Sequence, residues 1–398
     1  MYYCSKFKLN KPITNALDSL NIGITQDISK TQLYFPCGYN KVEVELNKIR
    51  FINDIPLIQP QSQQPQPQQP QQPQQLSDNN KKQNLTNLNN KFENKVILGI
   101  SGCDKLCSKN DIWSNLKKNY SIEKASNIMP MTFIINNKKD MLMLRDIENE
   151  HMTNPLHKSV YILKNNNQGK RGLYLTNNIH NLLNTKKIKE YKVIQKYLIN
   201  PYLINKRKLN IRLYVLILNI KDNPTEWYLY NSGKCIYNNK DYDPNTSLLE
   251  HNLQDKEQHF TSLNLNSDYI YNKLKNPETL EQLHTHLGDD NYNFLMYKII
   301  NKLRDIKFVY NNEKILNNKD NLLKNITMQY FGIDIIMDEN LEPYILEFNK
   351  GPEMTYKAPN DKLLKDTFVY KVFNISKKLY KGHYRTVNSI LESCFTKC

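Results

Sequence analysis

Short apolar runs at strand period recur along most of the chain. They span Val160 to Lys164, Leu173 to Thr176, Val193 to Leu198, Leu209 to Ile220, Glu226 to Tyr230, Met328 to Met337 and Tyr344 to Phe348. Alternating or continuous runs of β-branched and aromatic residues suit a pleated surface and predict strands. Between them apolar residues return every three or four positions, most clearly over Asp111 to Asn119, Asn178 to Asn184, Leu280 to Leu287 and Tyr292 to Leu303, which predicts helices. Strands and helices mixed in this order predict an α+β architecture rather than an all-helical one.

The pattern is interrupted once. From Gln59 to Asn90 the sequence is Pro and Gln repeats followed by an Asn- and Lys-rich run, with no apolar face to bury, and this composition predicts a disordered insert. It divides a small N-terminal lobe, residues 1–58, from a central lobe, 91–198, and a C-terminal lobe, 199–390. A chain of 398 residues has room for these lobes, because single cores rarely grow beyond about 250 to 300 residues.

Composition changes the picture in three ways. Lys plus Arg number 55 against 39 Asp plus Glu, a formal charge of +16 that attracts polyanions without choosing among them. Most of that charge reads as a solvated Lys-rich surface, and no basic motif interleaved with aromatics points to nucleic acid. The seven cysteines include no Cys-x-x-Cys spacing, which predicts reduced thiols rather than a zinc site. The N-terminus lacks the apolar core of a signal peptide and no run reaches the roughly 18 apolar residues of a membrane helix, so the expectation is a cytoplasmic protein with no membrane partner.

Three segments carry candidate chemistry. The first, Tyr330 to Asn349, reads as two apolar strands joined by a short Asp, Glu, Asn and Pro turn. With the turn near Asn340 and Leu341, Asp334 falls opposite Glu347 on one face, with Cβ atoms about 5 Å apart, so the two carboxylates repel unless a cation lies between them. Mg2+ suits such a place, since it takes one or two protein carboxylates and fills its other positions with phosphate oxygens and water. Asn349, two residues beyond Glu347, faces the same way. An ordinary polar hairpin face accounts for any one of these residues, and poorly for all three. In the second segment Lys208, Asn210 and Arg212 share one side of a strand whose other side, Leu209, Ile211, Leu213, Val215 and Ile217, is apolar. Taken alone it reads as a solvated edge strand. The third is a strand ending at Lys164, a polar loop with Gly169, Lys170, Arg171 and Gly172, and a return strand. Such a loop folds over phosphates, although it is neither a Walker loop nor a dinucleotide fingerprint.

In order along the chain these segments resemble the tubulin tyrosine ligase-like family. The matching residues are Met129-Pro-Met-Thr-Phe133, Ile162-Leu-Lys164, Val193 to Pro201, Lys208-Leu-Asn-Ile-Arg212, and Phe331-Gly-Ile-Asp334 with Leu346-Glu-Phe-Asn349. The resemblance runs from about Gly99 to about Pro352. It implies an ATP-grasp fold in which ATP lies between two lobes. The adenine then rests against Gln195, Lys196, Tyr197 and Leu198, while Lys164, Lys170, Lys208, Asn210 and Thr261 complete the nucleotide site. Mg2+ sits on Asp334, Glu347 and Asn349, and Arg212 and Glu347 carry catalysis. The implied reaction passes the γ-phosphate to a carboxylate, and an amine displaces it from the acylphosphate to leave an amide. A free amino acid such as tyrosine, glutamate or glycine is joined in this way to an acidic protein tail of the tubulin type. The chain departs from the family pattern at Asn210, where the family has aspartate, at Ser262, and at Ile236, where many members have arginine. These departures keep open a second reading, a catalytically reduced ATP-binding or cytoskeleton-binding module.

Overall fold

The computed structural model describes residues 2–4, 9–26, 30–36, 42–53, 95–153, 159–165, 172–220, 223–261, 265–316, 322, 325–358 and 360–398. The Pro- and Gln-rich stretch 59–90, the loop residues Gly169, Lys170 and Arg171, and Ser262 lie outside the described residues. Among them the strands are, in chain order, β1 (Tyr2–Cys4), β2 (Gly23–Thr25), β3 (Leu33–Tyr34), β4 (Val96–Ile97), β5 (Thr132–Ile134), β6 (Tyr161–Lys164), β7 (Leu173–Thr176), β8 (Val193–Lys196), β9 (Leu203–Ile204), β10 (Arg207–Asn219), β11 (Glu226–Tyr230), β12 (Lys234–Tyr237), β13 (Ile326–Met337), β14 (Pro343–Asn349) and β15 (Phe395–Lys397).

They form two sheets within a mixed α/β fold. The smaller has four strands in the order β5-β8-β6-β7, every neighbour antiparallel. The larger runs β15-β11-β10-β13-β4-β3-β1-β2, with β9 and β12 pairing on β10 and β14 on β13. Strands from the first 58 residues therefore extend the same sheet as the C-terminal hairpin, through parallel pairs of β4 with β3 and β13.

The centre of the large sheet follows from the alternation in β10. Leu209, Ile211, Leu213, Val215 and Ile217 are all buried on one face. Helix Asp289–Asn312 covers that side, where Tyr310 meets Trp227, the register partner of Ile217. On the other face the residues beyond Arg212 are apolar as well, because helix Asp361–Tyr380 lies there and Phe368 stacks on Tyr214 at 4.5 Å. Only the N-terminal half of β10 keeps a polar face. The edge-strand reading thus fails for a specific reason: β10 pairs with β13 along one side and with β11 and β12 along the other.

The β13–β14 hairpin pairs Asp334 directly with Glu347, as the alternation predicts. A bulge follows immediately, so that Ile335 pairs with Ile345 and Leu346 is the extra residue. Helix starts are fixed locally. The Ser108 hydroxyl accepts from the Asp111 amide at the start of Lys109–Asn119, and Thr279 with Gln282 forms a capping box at the start of Leu280–Leu287.

Candidate active site

A cleft of about 1400 Å3 opens between the two sheets. The small sheet contributes Lys164 from β6 and Gln195 from β8. Ile162 is the register partner of Gln195, and Lys164 lies two residues on, so both polar side chains share the face toward the large sheet. Lys164 Nζ donates to Gln195 Oε1 at 2.5 Å, while Gln195 Nε2 donates to the Pro130 carbonyl at 3.2 Å and to Thr132 Oγ1 at 2.8 Å. These bonds fix the amide's orientation. Burial, with like-charged Lys109 nearby, pulls the Lys164 ammonium down to about 8 against the opposing pull of Glu347 and Asp334.

Lys196, Tyr197 and Leu198 continue along the cleft wall. The Tyr197 hydroxyl meets His259 Nδ1 at 2.8 Å and accepts a short hydrogen bond from Lys208 Nζ. Lys208 comes from β10, its ammonium 4.1 Å from the centroid of the Tyr197 ring and 4.7 Å from that of Tyr242. Among the described residues it has no ion-pair partner, and burial lowers it to about 7. His259 is in turn lowered to about 4 by burial and by Lys208, so it is neutral at physiological pH. Thr261 ends this strap and also lines the cleft.

The large sheet supplies the other wall. Asn210 and Arg212 follow Lys208 on the polar face of β10, with Ile236 of β12 paired to Asn210 in register and buried. Arg212 and Asp334 are register partners across β10 and β13. The guanidinium grips the carboxylate with two bonds, Nε to Oδ1 and Nη2 to Oδ2, the second at 2.9 Å. Burial acts to lower the Arg212 pKa, and Asp334 outweighs it, so the guanidinium is held charged. Glu347 receives Lys109 Nζ at 3.2 Å and Asn349 Nδ2 at 3.3 Å. Burial pushes its carboxyl up, and the Lys109 and Lys164 ammoniums overcome this to keep it below the usual carboxylate range.

All of the candidate residues that fall within the described chain therefore line one cleft. Lys170 lies outside the described residues. Sequence reasoning missed Lys109, the first residue of helix Lys109–Asn119, which reaches Glu347 from a segment far away in sequence. No spacing rule points to it. The pairing of Asp334 with Arg212 and of Glu347 with Lys109 also corrects the electrostatic argument for a metal, since these cations already relieve the repulsion between the two carboxylates. What still suits Mg2+ is the donor chemistry: two carboxylates and an amide at one end of a hairpin, all hard oxygen donors facing a cation-rich cleft. Among the described residues no group of three or more His, Cys, Asp or Glu side chains is gathered to hold a metal ion. Among the described residues no helix is long and apolar enough to cross a membrane.

A sequence model described as the tubulin-tyrosine ligase family matches residues 83–383. The chain is 28% identical to a tubulin monoglutamylase of Mus musculus over 46% of this chain and 16% of that protein. It is 26% identical to a probable beta-tubulin polyglutamylase of Tetrahymena thermophila over 66% of this chain and 22% of that protein. It is 24% identical to a probable tubulin polyglutamylase of Homo sapiens over 69% of this chain and 45% of that protein. The chain spans less than half the length of each of these relatives.

Proposed function

Because the chain belongs to the tubulin-tyrosine ligase family, we propose that it is an ATP- and Mg2+-dependent ligase with an ATP-grasp fold that joins glutamate to a carboxylate of an acidic, tubulin-type protein tail. Glutamate is preferred to tyrosine or glycine because the relatives named above are glutamylases. The observation that carries the reading is the convergence, in one cleft, of the cations Lys164, Lys208 and Arg212 with the oxygen donors Asp334, Glu347 and Asn349. A cleft of this size holds a nucleotide with room for the end of a peptide.

Each residue then has a part that its surroundings support. Gln195, Lys196, Tyr197 and Leu198 form the wall against which the adenine packs. Lys208, a buried ammonium with no carboxylate partner among the described residues, and Lys164 face the phosphates, whose charge offsets what burial costs these lysines. Asn210 reaches the ribose or the incoming amine, and Thr261 closes the same end. Arg212, fixed by Asp334, stabilises charge that develops on the transferred group, an effect that needs preorganised cations rather than a covalent nucleophile. Asp334, Glu347 and Asn349 would hold Mg2+, which when bound would neutralise phosphate oxygens. Asp334 keeps lone pairs free for that role while accepting from Arg212.

The test is the mass of purified tubulin after incubation with the protein, ATP, Mg2+ and a mixture of amino acids. Added glutamate residues support the proposal, and an unchanged mass under conditions where ATP binds counts against it. The second reading, a catalytically reduced ATP-binding or cytoskeleton-binding module, is favoured by one observation: Ile236 places an apolar side chain in the cleft opposite Asn210. ATP binding without turnover in the presence of every amino acid and acceptor would select it.

A further inference from the structure

Beyond the end of β14 the chain turns along the rim of the cleft, and Lys350, Gly351, Pro352, Glu353 and Met354 line it. The rim is clamped by groups outside the site. Gly332 of β13 admits Pro352 against the sheet, since a Cβ at Gly332 would stand 2.8 Å from Pro352 Cβ and 3.4 Å from Arg212 Cδ. Met354 is buried in the main core. Farther on, the Asp361 carboxylate takes four donors: Lys234 Nζ at 2.6 Å, Lys365 Nζ at 3.1 Å, the Lys357 amide at 2.7 Å and the Ala358 amide at 3.2 Å. Lys365 Nζ also donates to the Thr355 carbonyl at 2.6 Å. Lys234 is the β12 register partner of Arg212. Asp361 thus ties the rim, through one carboxylate and two lysines, to the strand beside the reacting end of the cleft.

Asp361 and Lys365 are each almost wholly buried, and Lys234 is only slightly more exposed. Packing alone does not call for such a cluster, and replacing it by apolar residues would often be neutral or stabilising. What it supplies is directional hold on backbone groups of a segment that has no secondary structure of its own. Lys350, Gly351 and Pro352 follow Asn349 directly and Pro352 packs on Gly332 beside Arg212, so the segment borders the Arg212, Glu347 and Asn349 part of the cleft. Lys350 to Met354 line the cleft, and Thr355 and Lys357 beyond them stand exposed to solvent. The Glu353 carboxylate is turned into the rim itself, accepting from the Thr355 amide at 3.0 Å, Thr355 Oγ1 at 2.6 Å and Lys357 Nζ at 3.1 Å. Its charge is thereby offset where an acidic chain would pass.

We propose that Asp361, Lys365 and Lys234 are positioning residues that pin segment 350–358 so that it receives an acidic polypeptide acceptor, and that they act on acceptor capture rather than on nucleotide binding. The inference rests on the ligase reading above. Its test measures binding without turnover. A fluorescent oligo-glutamate peptide is titrated into the full chain with Mg2+ and a non-hydrolysable ATP analogue, and the analogue is titrated separately. Lys365→Met leaves Lys234 and Asp361 as a balanced pair and cuts the tie to Thr355. It is expected to weaken peptide binding about tenfold while changing nucleotide affinity by less than about twofold, with faster amide exchange at Lys357 and Ala358. Lys365→Arg is expected to restore peptide binding. Unchanged peptide affinity despite faster exchange would overturn the proposal, as would an equal loss of nucleotide affinity. Should Lys365→Met not fold, Lys234→Met, which leaves Lys365 on Asp361 and Thr355, is read against the same outcomes. A parent protein that binds no nucleotide would sink the ligase reading itself, and so is distinguishable from a failure of the rim proposal alone.

Discussion

Replacing Glu347 by glutamine removes one negative charge from the cleft while keeping an oxygen to accept from Asn349. The Lys109 ammonium at 3.2 Å loses its partner. At an effective dielectric of about 20 the gross attraction at that separation is on the order of 5 kcal/mol. Both side chains are close to one third exposed, so solvent screening reduces the net cost to the folded protein to about 1–2 kcal/mol. The fold should therefore survive with a melting temperature a few degrees lower. The effect on turnover should be larger, because a preorganised charge at the reacting centre is worth about 100- to 1000-fold in rate. Parent and Glu347→Gln proteins are compared for incorporation of labelled glutamate into an acidic acceptor, alongside thermal melts and nucleotide binding. A folded variant with a rate within about threefold of the parent would refute the role of Glu347 and, with it, the reasoning from the β13–β14 hairpin.

The remaining predictions test other parts of the cleft. Lys164 and Lys208 are lowered to about 8 and about 7 from the ordinary 10.5, so between those values and 10.5 the folded protein binds fewer protons than the unfolded chain, and their contribution to stability rises with pH across that window. Phosphates placed beside them should raise both pKa values, and calorimetry at pH 8 in buffers of different ionisation enthalpy should record proton uptake on MgATP binding; none would contradict their placement. Gly332→Ala drives a methyl group against Pro352 and the Arg212 stem, and urea unfolding should show a loss of about 1–3 kcal/mol. Lys109→Met removes the cation that faces Glu347 and should weaken MgATP binding about tenfold, with a melting temperature lowered by a few degrees as for Glu347→Gln; unaltered affinity would make Lys109 a surface residue only.

Much of the site was legible because the decisive strands carry a plain period of two. In β10 the alternation assigns Lys208, Asn210 and Arg212 to one face, and the pairing of Asp334 with Glu347 follows from the turn alone; only the family resemblance brings the two groups to one site. The bulge at Leu346 was not legible, since one extra residue changes the local twist without changing composition. Lys109 was hidden for a different reason: its helix carries a Ser cap and ordinary charges, and only tertiary packing brings its first residue to Glu347. Helix Asp361–Tyr380 escaped notice because buried residues occur around much of its circumference, from Leu364 and Lys365 to Phe373 and Leu379, leaving no single apolar stripe. With that helix went the Asp361 cluster. Strands β1 to β3, of two or three residues each, are too short for periodicity to register.

The most direct measurement of the central claim is the stoichiometry of phosphate released from ATP to glutamate joined to an acidic peptide, with each component omitted in turn. The account predicts one phosphate for each amide formed and negligible release without either the peptide or the amino acid. Phosphate release indifferent to both, or glutamate joined without ATP cleavage, would contradict it.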